Sequence, residues 1–399
     1  MSLWQSIANN LRHFTPQTHV SVDQKSSRTA PLFAMYGFGK AVWTPRDYAT
    51  LAKEGYQRNA VAHRCVRLIS EAAAGAPLIL KQGREELLEH PLLTLLKSPN
   101  PRQGGQSFLE ALYGYLLVAG NAYIEAVRLD HVPRELYLLR PDRMKVVQGR
   151  NGRAMGYDYQ IGSETVRFSQ DGEGIAAILH LTLFNPLDDH YGFSPTEAAA
   201  SALDIHNAAS AWNKALLDNA ARPSGALVYS GNDGSTLTDA QFERLKNEFE
   251  AQYQGANNAG RPLLLDGGLD WKPLSMSPKD MDFVATKAAA ARDIALAYGI
   301  PPMLLGLPGD NTYANYAEAN RALWRQTVVP LIKRVMGEIV NWFAPIYGSD
   351  LMLEPDLDAV EALADERESL WRRMTNAPFL TDDEKREAVG YGLRGSTGD

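Results

Sequence analysis

The chain of 399 residues contains a single cysteine, Cys65. One cysteine excludes an internal disulfide framework and a multi-cysteine metal site, and it fits a reducing compartment. Positive charge is also scarce, because 40 lysines and arginines stand against 47 aspartates and glutamates, for a formal net charge of −7. Proteins that grip DNA are usually basic, so the composition argues against a DNA-gripping surface over the whole chain.

Long hydrophobic runs are missing as well. The first residues, MSLWQSIANNLRHF, contain no apolar core long enough for a signal peptide. The most apolar stretch runs from Phe108 to Val127, and Glu110, Gly120 and Asn121 interrupt it. A membrane span needs about 20 predominantly apolar residues, so the sequence predicts no contact with a membrane.

Catalytic fingerprints are absent too. The sequence has no G-x-x-x-x-G-K-[ST], no G-x-S-x-G and no H-E-x-x-H. His63 and Cys65 are two apart on an expected helix and point in different directions, which favours packing and surface roles over a catalytic pair. Asp188, Asp189 and His190 have metal-ligand residue types, but adjacent side chains converge poorly and turns favour aspartate. We therefore expect no catalytic, cofactor or metal site.

What is present is an alternation of helical and strand patterns that predicts an α+β fold. Apolar residues recur at helical spacing near 45–55, 57–75 and 106–119, with a short helix between the last two that stops at Pro99. The letters SPTEAAASALDIHNAASAWNKALLDN predict a further helix with a strong start signal. Between these helices the pattern changes to strands, in AYIEAVRL, RELYLLR, MKVVQG, GYDYQI and ILHLTLF.

Two helix signals bracket a small β pattern between 238 and 299. Thr238 and Gln241 form a capping box that opens the first helix. Ser277 and Pro278 open the second helix, which Gly299 ends. Between the two helices, RPLLLDGGLDWKPLSM predicts two short strands around a Gly-Gly turn.

A polar loop follows in GIPPMLLGLPGDNTYANYAEANRALW, which begins at Gly299. Pro301 forbids continuation of the preceding helix. A long helix is predicted from about 314 to 342, with a bend at Pro330 because proline removes a hydrogen bond and clashes with the preceding turn.

Short basic pairs occur at 333–334 and 372–373. Such pairs are usually solvated helix faces, and contact with DNA is the alternative that stays open. Trp324 and Trp342 stand at helical positions, where a core or interface role is favoured over base stacking.

Six segments occur in an informative order over about residues 57–343. They are NAVAHRCVRLISEAAAGAPLIL, HPLLTLLKSPNPRQGGQSFLEALYGYLLVAGNAYIE, YGFSPTEAA, ARPSGALVYSG, NAGRPLLLDGGLDWKPLSMSPKDMDF and IALAYGIPPMLLGLPGDNTYANYAEANRALW. In this order they resemble the HK97-type portal proteins of tailed bacteriophages and gene transfer agents. The N-terminal 45 residues and the tail after about 350 match only loosely.

The resemblance implies a portal fold with an α/β wing, a two-helix stem, a small β clip, a kinked long helix and a helical crown, assembled as a dodecameric ring. The implied boundaries are 1–237 for the wing with an N-terminal arm, 238–254 and 278–299 for the stem helices, 255–277 for the clip, 300–314 for the tunnel loop, and 315–399 for the kinked helix and crown.

The resemblance also implies a function. The ring would sit at one capsid vertex, and double-stranded DNA would pass through it without sequence-specific contacts during packaging and ejection. Expected partners are further copies of the chain, the major capsid protein, the large terminase and then the head–tail adaptor. Since no ATP site is visible, the motor would be the separate terminase. The expected location is a virion or gene-transfer-agent particle, after assembly in the bacterial cytoplasm.

Three sets of site residues follow from the resemblance. The DNA-facing tunnel loop comprises Pro308, Gly309, Asp310, Asn311, Thr312, Tyr313 and Asn315. The clip, which would contact terminase, adaptor and neighbouring subunits, comprises Arg261, Leu265, Gly267, Gly268, Leu269 and Trp271. The stem interface between subunits comprises Phe242, Phe249, Val284 and Ala291.

Several alternatives stay open at the level of sequence. Asp310 either caps the following helix, which its position favours, or repels phosphate. Tyr313 is either a core anchor or DNA-facing, and Trp271 belongs either to a local core or to the clip surface. The net acidity either lowers the friction of passing DNA or only keeps the protein soluble. The rival functions are an enzyme with an unrecognised site in the β-rich region and a ring or scaffold protein without DNA.

Overall fold

The structure is a computed structural model. It describes residues 43–83, 85–150, 152–170, 175–218, 225–229, 269–273, 283–307 and 313–390, together with the single residues 238, 240, 243, 244 and 247. Helices and antiparallel strands alternate through these residues, as the sequence patterns predict for an α+β fold.

The helices of the described residues follow the caps and apolar periodicity of the sequence. They are α1 (Tyr48–Leu51), α2 (Ala60–Gly75), α3 (Pro91–Lys97), α4 (Gly105–Ala119), α5 (Pro195–Ala198), α6 (Ala200–Asp218), α7 (Phe283–Ala297), α8 (Tyr313–Leu323), α9 (Val329–Tyr347), α10 (Ala364–Thr375) and α11 (Asp382–Ala388). A π-helical segment, Ala52–Gln57, continues α1, and another, Trp324–Val328, joins α8 to α9. Short 3-10 turns occupy Pro141–Arg143, Pro302–Leu305, Leu357–Ala359 and Glu361–Leu363.

The strands pair antiparallel throughout the described residues. Their spatial orders are β11-β1-β2, β4-β3-β8 and β5-β6-β7, and β9 pairs with β10. The strands are β1 (Leu78–Gln82), β2 (Glu85–Leu87), β3 (Asn121–Leu129), β4 (Val132–Leu139), β5 (Met144–Gln148), β6 (Ala154–Ile161), β7 (Glu164–Ser169), β8 (Ile178–Thr182), β9 (Gly225–Tyr229), β10 (Leu269–Pro273) and β11 (Leu351–Pro355).

The main core forms where α2, α4 and α9 pack together beside the sheet of β1 and β11. Ile69, Leu112 and Met336, one from each helix, have no exposed surface. Leu80 of β1 pairs with Leu353 of β11, and both are buried. Strands that are far apart in the sequence therefore contribute to the same core. Their pairing stabilises the fold because it removes apolar surface from water.

Asn59 both starts α2 and ties it to α6. Its Oδ1 accepts hydrogen bonds from the amides of Val61 and Ala62, each at 3.1 Å, as an N-cap residue does. Its Nδ2 donates to Asn207 Oδ1 at 2.9 Å and lies 3.0 Å from His206 Nδ1. Because Asn59 is buried, the cap also fixes how the two helices pack.

Side chains cover the free edge of β8 and of the residues just before it. Arg334 of α9 donates to the carbonyl of Thr182 at 2.8 Å, and Trp342 Nε1 donates to the carbonyl of Ala176 at 2.9 Å. An open strand edge exposes unpaired backbone groups, and these bonds satisfy two of them. Trp342 is also buried in the core, which agrees with the core or interface role that its helical position favours.

The long helix predicted from about 314 to 342 is divided in two. Its irregularity lies one turn ahead of Pro330, in the π-helical segment Trp324–Val328, and α9 then begins at Val329. Pro330 has no N–H to donate to the carbonyl four residues earlier, and its ring crowds that carbonyl. The wider π turn removes this conflict, so proline stands in the first turn of a new helix, where it is tolerated.

The sequence patterns predict some of the strands and miss others. The patterns predict β3 to β6 and β8, and these form with small shifts at their ends. The strands β1, β2, β7, β9 and β11 are not predicted, because each is short and depends on a partner distant in the chain or on a neighbouring turn.

Candidate functional site

The turn after α7 is fixed at its start by Gly299. This residue has φ +67°, and an added Cβ would lie 2.8 Å from Thr327 Oγ1. The amides of Gly299 and Ile300 donate back to the carbonyls of Leu296 and Ala295, at 3.0 and 2.9 Å, which closes the helix end. Gly299 therefore ends the helix as the sequence predicts. Because the hydroxyl of Thr327 donates to the carbonyl of Gly299 at 2.8 Å, the turn is also bonded to the π-helical segment.

Tyr298 anchors the same turn to the core. Its hydroxyl lies 2.6 Å from Thr196 Oγ1, which also donates to the carbonyl of Leu117 at 2.8 Å. Tyr298 is 3% exposed, and burial raises the pKa of its hydroxyl well above the usual range, so the group stays neutral. The turn is thus bonded to α4 and α5 through a buried chain of neutral hydrogen bonds.

A close backbone contact joins the segments GNAY and YGFSP beside this anchor. A Cβ on Gly192 would clash with the backbone of Gly120 and Leu183, so only glycine fits. Asn121 Oδ1 accepts from the amide of Gly192 at 2.9 Å and lies 3.0 Å from His180 Nε2. Burial lowers the pKa of His180 to about 4, so its ring is neutral near neutral pH. These residues join two of the sequence-matched segments to β8 and the residue that follows it.

Two buried tyrosines provide a matched test of the anchor at Tyr298. We expect Tyr298→Phe to lower the free energy of unfolding by about 1–3 kcal/mol, because Thr196 loses a buried partner. We expect Tyr113→Phe to leave stability unchanged or raise it, because the buried Tyr113 hydroxyl has no hydrogen-bond partner. Urea unfolding of both variants measures the difference. Equal loss of stability in the two variants would contradict the anchoring role of Tyr298.

Beyond the anchor, the chain makes a tight turn. Pro302–Leu305 form a 3-10 turn, and Gly306 ends it in the left-handed region at φ +70°. The predicted tunnel-loop residues Pro308, Gly309, Asp310, Asn311 and Thr312 lie outside the described residues. Description resumes at Tyr313, the first residue of α8, and Asn315 is exposed on this helix. The structure therefore fixes both flanks of the predicted loop.

The helix on the far flank of the loop is amphipathic and carries charge. Ala319 and Leu323 are buried, whereas Tyr316 is 52% exposed. Arg321 lies between two carboxylates, with Nη1 2.6 Å from Glu318 Oε2 and Nη2 2.8 Å from Asp365 Oδ2. The sequence analysis missed this contact, because Arg321 and Asp365 are 44 residues apart and no pattern relates them.

The predicted stem interface is corrected at one residue. Val284 is 78% exposed on α7, so a neighbouring subunit has surface to cover there. Ala291, by contrast, is 2% exposed within the chain, in a helix that packs against α6 and also contacts α2. No exposed surface is left at Ala291 for a subunit contact. Phe242 and Phe249 lie outside the described residues.

Of the two strands predicted for the clip, the described residues include only the second. β10 runs from Leu269 to Pro273 and contains Trp271. Its described partner is β9, in a register that pairs Trp271 with Leu227, whereas the sequence pattern predicts a partner just before the Gly-Gly turn. The remaining clip residues, Arg261, Leu265, Gly267 and Gly268, lie outside the described residues. This pairing joins the proposed clip to a segment that the resemblance assigns to the wing.

The side chains with catalytic residue types have structural roles. Cys65 is fully buried, and burial raises the pKa of its thiol to about 12, so it is not a thiolate nucleophile at neutral pH. Asp188 Oδ1 accepts from the amides of His190 and Tyr191, at 2.7 and 2.9 Å, which makes the cluster a turn. Among the described residues, no group of three or more His, Cys, Asp or Glu is placed to hold a metal ion.

Three residues of the basic pairs have partners within the chain. Lys333 Nζ lies 3.6 Å from Glu354 Oε1, and Arg334 donates to Thr182 as described above. On α10, Arg372 Nη2 forms an ion pair with Glu368 one turn earlier, at 2.5 Å. In the part of the chain that the structure describes, no helix has the length and apolarity needed to cross a bilayer.

Comparisons with known proteins agree on one family. A family model described as phage portal protein matches residues 60–390. A protein of Rickettsia bellii (strain RML369-C) is 42% identical over 340 residues, which cover 84% of this chain and 88% of that protein. The portal protein of Enterobacteria phage HK97 is 27% identical over 291 residues, which cover 71% of this chain and 66% of that protein.

Solved structures of gene transfer agents are also similar. A chain from the neck of an empty particle, computed with C6 symmetry, is 53% identical with a TM-score of 0.71, and the match covers 90% of this chain and 97% of that chain. A chain from the neck of a native particle, computed with C12 symmetry, is 53% identical with a TM-score of 0.69 and the same coverage. Nearly the whole length of those chains is therefore matched.

Proposed function

The chain belongs to the phage portal protein family, and from this premise we propose that twelve copies form a ring at one capsid vertex, through which double-stranded DNA enters and leaves. The observation that carries the proposal is the 53% identity to a chain of a gene-transfer-agent neck that is matched over 97% of its length. The location that follows is the virion or gene-transfer-agent particle.

The copy number follows from the symmetry of the similar particles. One neck was computed with C12 and another with C6 symmetry, and a ring of twelve identical subunits contains both. A cyclic ring uses two different, complementary surfaces of each subunit, so every contact is repeated around the channel. Twelve copies at −7 each carry a formal charge of −84. Such a ring holds phosphates weakly, which suits a conduit along which DNA slides.

The polar residues between Leu307 and Tyr313 supply the channel-facing loop in this proposal. The Tyr298 anchor and the Thr327 bond hold the loop entrance, and the buried residues of α8 hold its exit. Only five residues, 308–312, separate the described flanks. The amide and hydroxyl groups of this loop can contact phosphates without reading sequence.

The exposed face of α7 supplies one subunit contact of the ring. Val284 and Leu296 are 78% and 77% exposed, which leaves apolar side chains on α7 that a neighbouring subunit can cover. The β9–β10 segment, with Trp271, and the clip residues before it serve as the docking surface for the large terminase and later the head–tail adaptor. The outer part of the ring contacts the major capsid protein.

The symmetry and channel diameter of the purified assembly test the proposal. The chain is expressed alone, and electron-microscopic class averages are taken of the particles. We expect closed rings with a central channel wide enough for duplex DNA; rings assembled outside a capsid can differ from twelve in copy number. A stable monomer would contradict the ring. A channel too narrow for duplex DNA would favour a ring or scaffold protein that does not conduct DNA.

A further inference from the structure

Two arginines stand one helical turn apart where α8 passes into the π-helical segment. Arg321 Nη2 lies 2.8 Å from Asp365 Oδ2, and Arg325 Nη1 lies 3.0 Å from Glu366 Oε1. Asp365 and Glu366 belong to the first turn of α10, a separate helix. Two adjacent carboxylates of α10 thus form ion pairs with two arginines that lie one helical turn apart.

The ion pairs between the two helices involve side chains at the surface of α10. The helix α10 has no buried residue. A groove of about 810 Å³, lined in part by Tyr316, Arg321, Trp324 and Asp365, opens beside the contact. Arg321 Nε is buried without a hydrogen-bond partner, 3.9 Å from Glu366 Oε1. The guanidinium therefore retains a donor that its present partners do not satisfy.

One partner of each ion pair is accessible to a competitor. The side chains of Asp365 and Arg325 are 78% and 62% exposed, whereas those of Arg321 and Glu366 are 20% and 39% exposed. Exposed pairs of this kind contribute little to stability and are screened by salt. A competing polyanion presents many phosphates at high local density, and guanidinium groups bind phosphate and carboxylate oxygens through the same paired N–H donors.

We propose that Arg321 and Arg325 form a binding site for the phosphate backbone of DNA and that Asp365 and Glu366 mask this site. In the masked state the carboxylates occupy the N–H groups that phosphates would otherwise use. The mask keeps the helix next to the channel loop from holding DNA. Its release frees the guanidinium of Arg325 and the Nη2 of Arg321, whose Nη1 still contacts Glu318. The proposal rests on the proposed function only in that the DNA is taken to be the duplex in the channel. Binding of DNA to the two arginines can be measured without any assumption about that function.

Removal of the mask tests the proposal directly. The full-length variant Asp365→Asn/Glu366→Gln is compared with the unchanged protein for binding of a short fluorescent duplex DNA, by anisotropy, at salt concentrations from about 50 to about 200 mM. We expect about tenfold tighter binding at the lower salt concentration. We also expect the slope of log K against log salt to become steeper by about 0.9, because Arg325 is released to neutralise one further phosphate while Arg321 keeps its ion pair with Glu318.

Two further variants separate the mask from a general change of charge. Glu85→Gln/Glu86→Gln raises the net charge equally, at exposed residues of β2, and should not reproduce the gain. Arg321→Gln/Arg325→Gln, added to the unmasked variant, should remove the gain. An unmasked variant that binds no more tightly than the β2 control overturns the proposal, and so does a gain that survives loss of both arginines. A chain that forms no ring would contradict the proposed function. The same binding measurement would still show whether Asp365 and Glu366 keep the two arginines from binding DNA.

Discussion

Val284→Glu is expected to leave the subunit folded and to abolish the ring, whereas Ala291→Glu is expected to unfold the subunit itself. Val284 is 78% exposed, so a carboxylate there remains in water before assembly and costs the isolated subunit about 0.5 kcal/mol or less. In the ring the neighbouring subunit would bury it. An unpaired buried charge costs several kcal/mol, and the ring would incur this cost at every subunit contact.

Ala291 differs because its surroundings belong to its own chain. It is 2% exposed where α7 packs against α6, so glutamate there is both too large and charged. Overpacking alone costs about 1–3 kcal/mol, and the buried charge adds to it. The total approaches the whole stability of a typical domain, about 5–15 kcal/mol. We therefore expect Ala291→Glu to express poorly or to lose its cooperative thermal transition.

Circular dichroism and sedimentation velocity separate the two outcomes. Thermal melting by circular dichroism reports on the subunit fold, and sedimentation reports on the ring. Val166→Glu is the matched control, because Val166 is 41% exposed on β7, outside the proposed stem. An intact ring in Val284→Glu would show that this face of α7 is not a subunit contact. A normally folded Ala291→Glu would contradict the packing of α7 against α6.

Replacement of residues 308–312 by a Gly/Ser linker of equal length is expected to preserve the ring and reduce the retention of packaged DNA. The anchors of the loop lie outside the replaced residues, at Tyr298, Thr327 and the buried face of α8, so the subunit keeps its fold. The linker removes the side chains of Asp310, Asn311 and Thr312 from the proposed channel. Since each subunit contributes one loop, weak contacts act together on one duplex and are lost together.

Packaging into purified proheads followed by nuclease challenge measures the retained DNA. A linker of the same length that keeps Asp310, Asn311 and Thr312 in place is the control for backbone stiffness. We expect a several-fold loss of protected DNA in the full replacement and a smaller loss in the control. Full retention in both would remove the proposed role of the loop. Failure of either variant to form rings would show that the segment is structural.

The sequence by itself determined the features that depend on neighbouring residues. Ser194 caps α5 by accepting from the amide of Glu197, and Gly299 ends the helical segment in the left-handed region, both as predicted. Helix caps and left-handed glycines act within a few residues, so a local pattern is sufficient to find them. The ordered segments likewise indicated the family without any structure, and the family match over 60–390 confirms it.

Only the tertiary structure decided which faces are covered and which charges meet. The periodicity of α7 could not distinguish burial by its own chain from burial by a neighbour, so Ala291 was wrongly assigned to a subunit contact. The pairing of β1 with β11, the bond between Tyr298 and Thr196, and the contact of Arg321 with Asp365 join residues far apart in the chain. Such contacts depend on how whole elements pack, and propensity and spacing contain no information about partners at that distance.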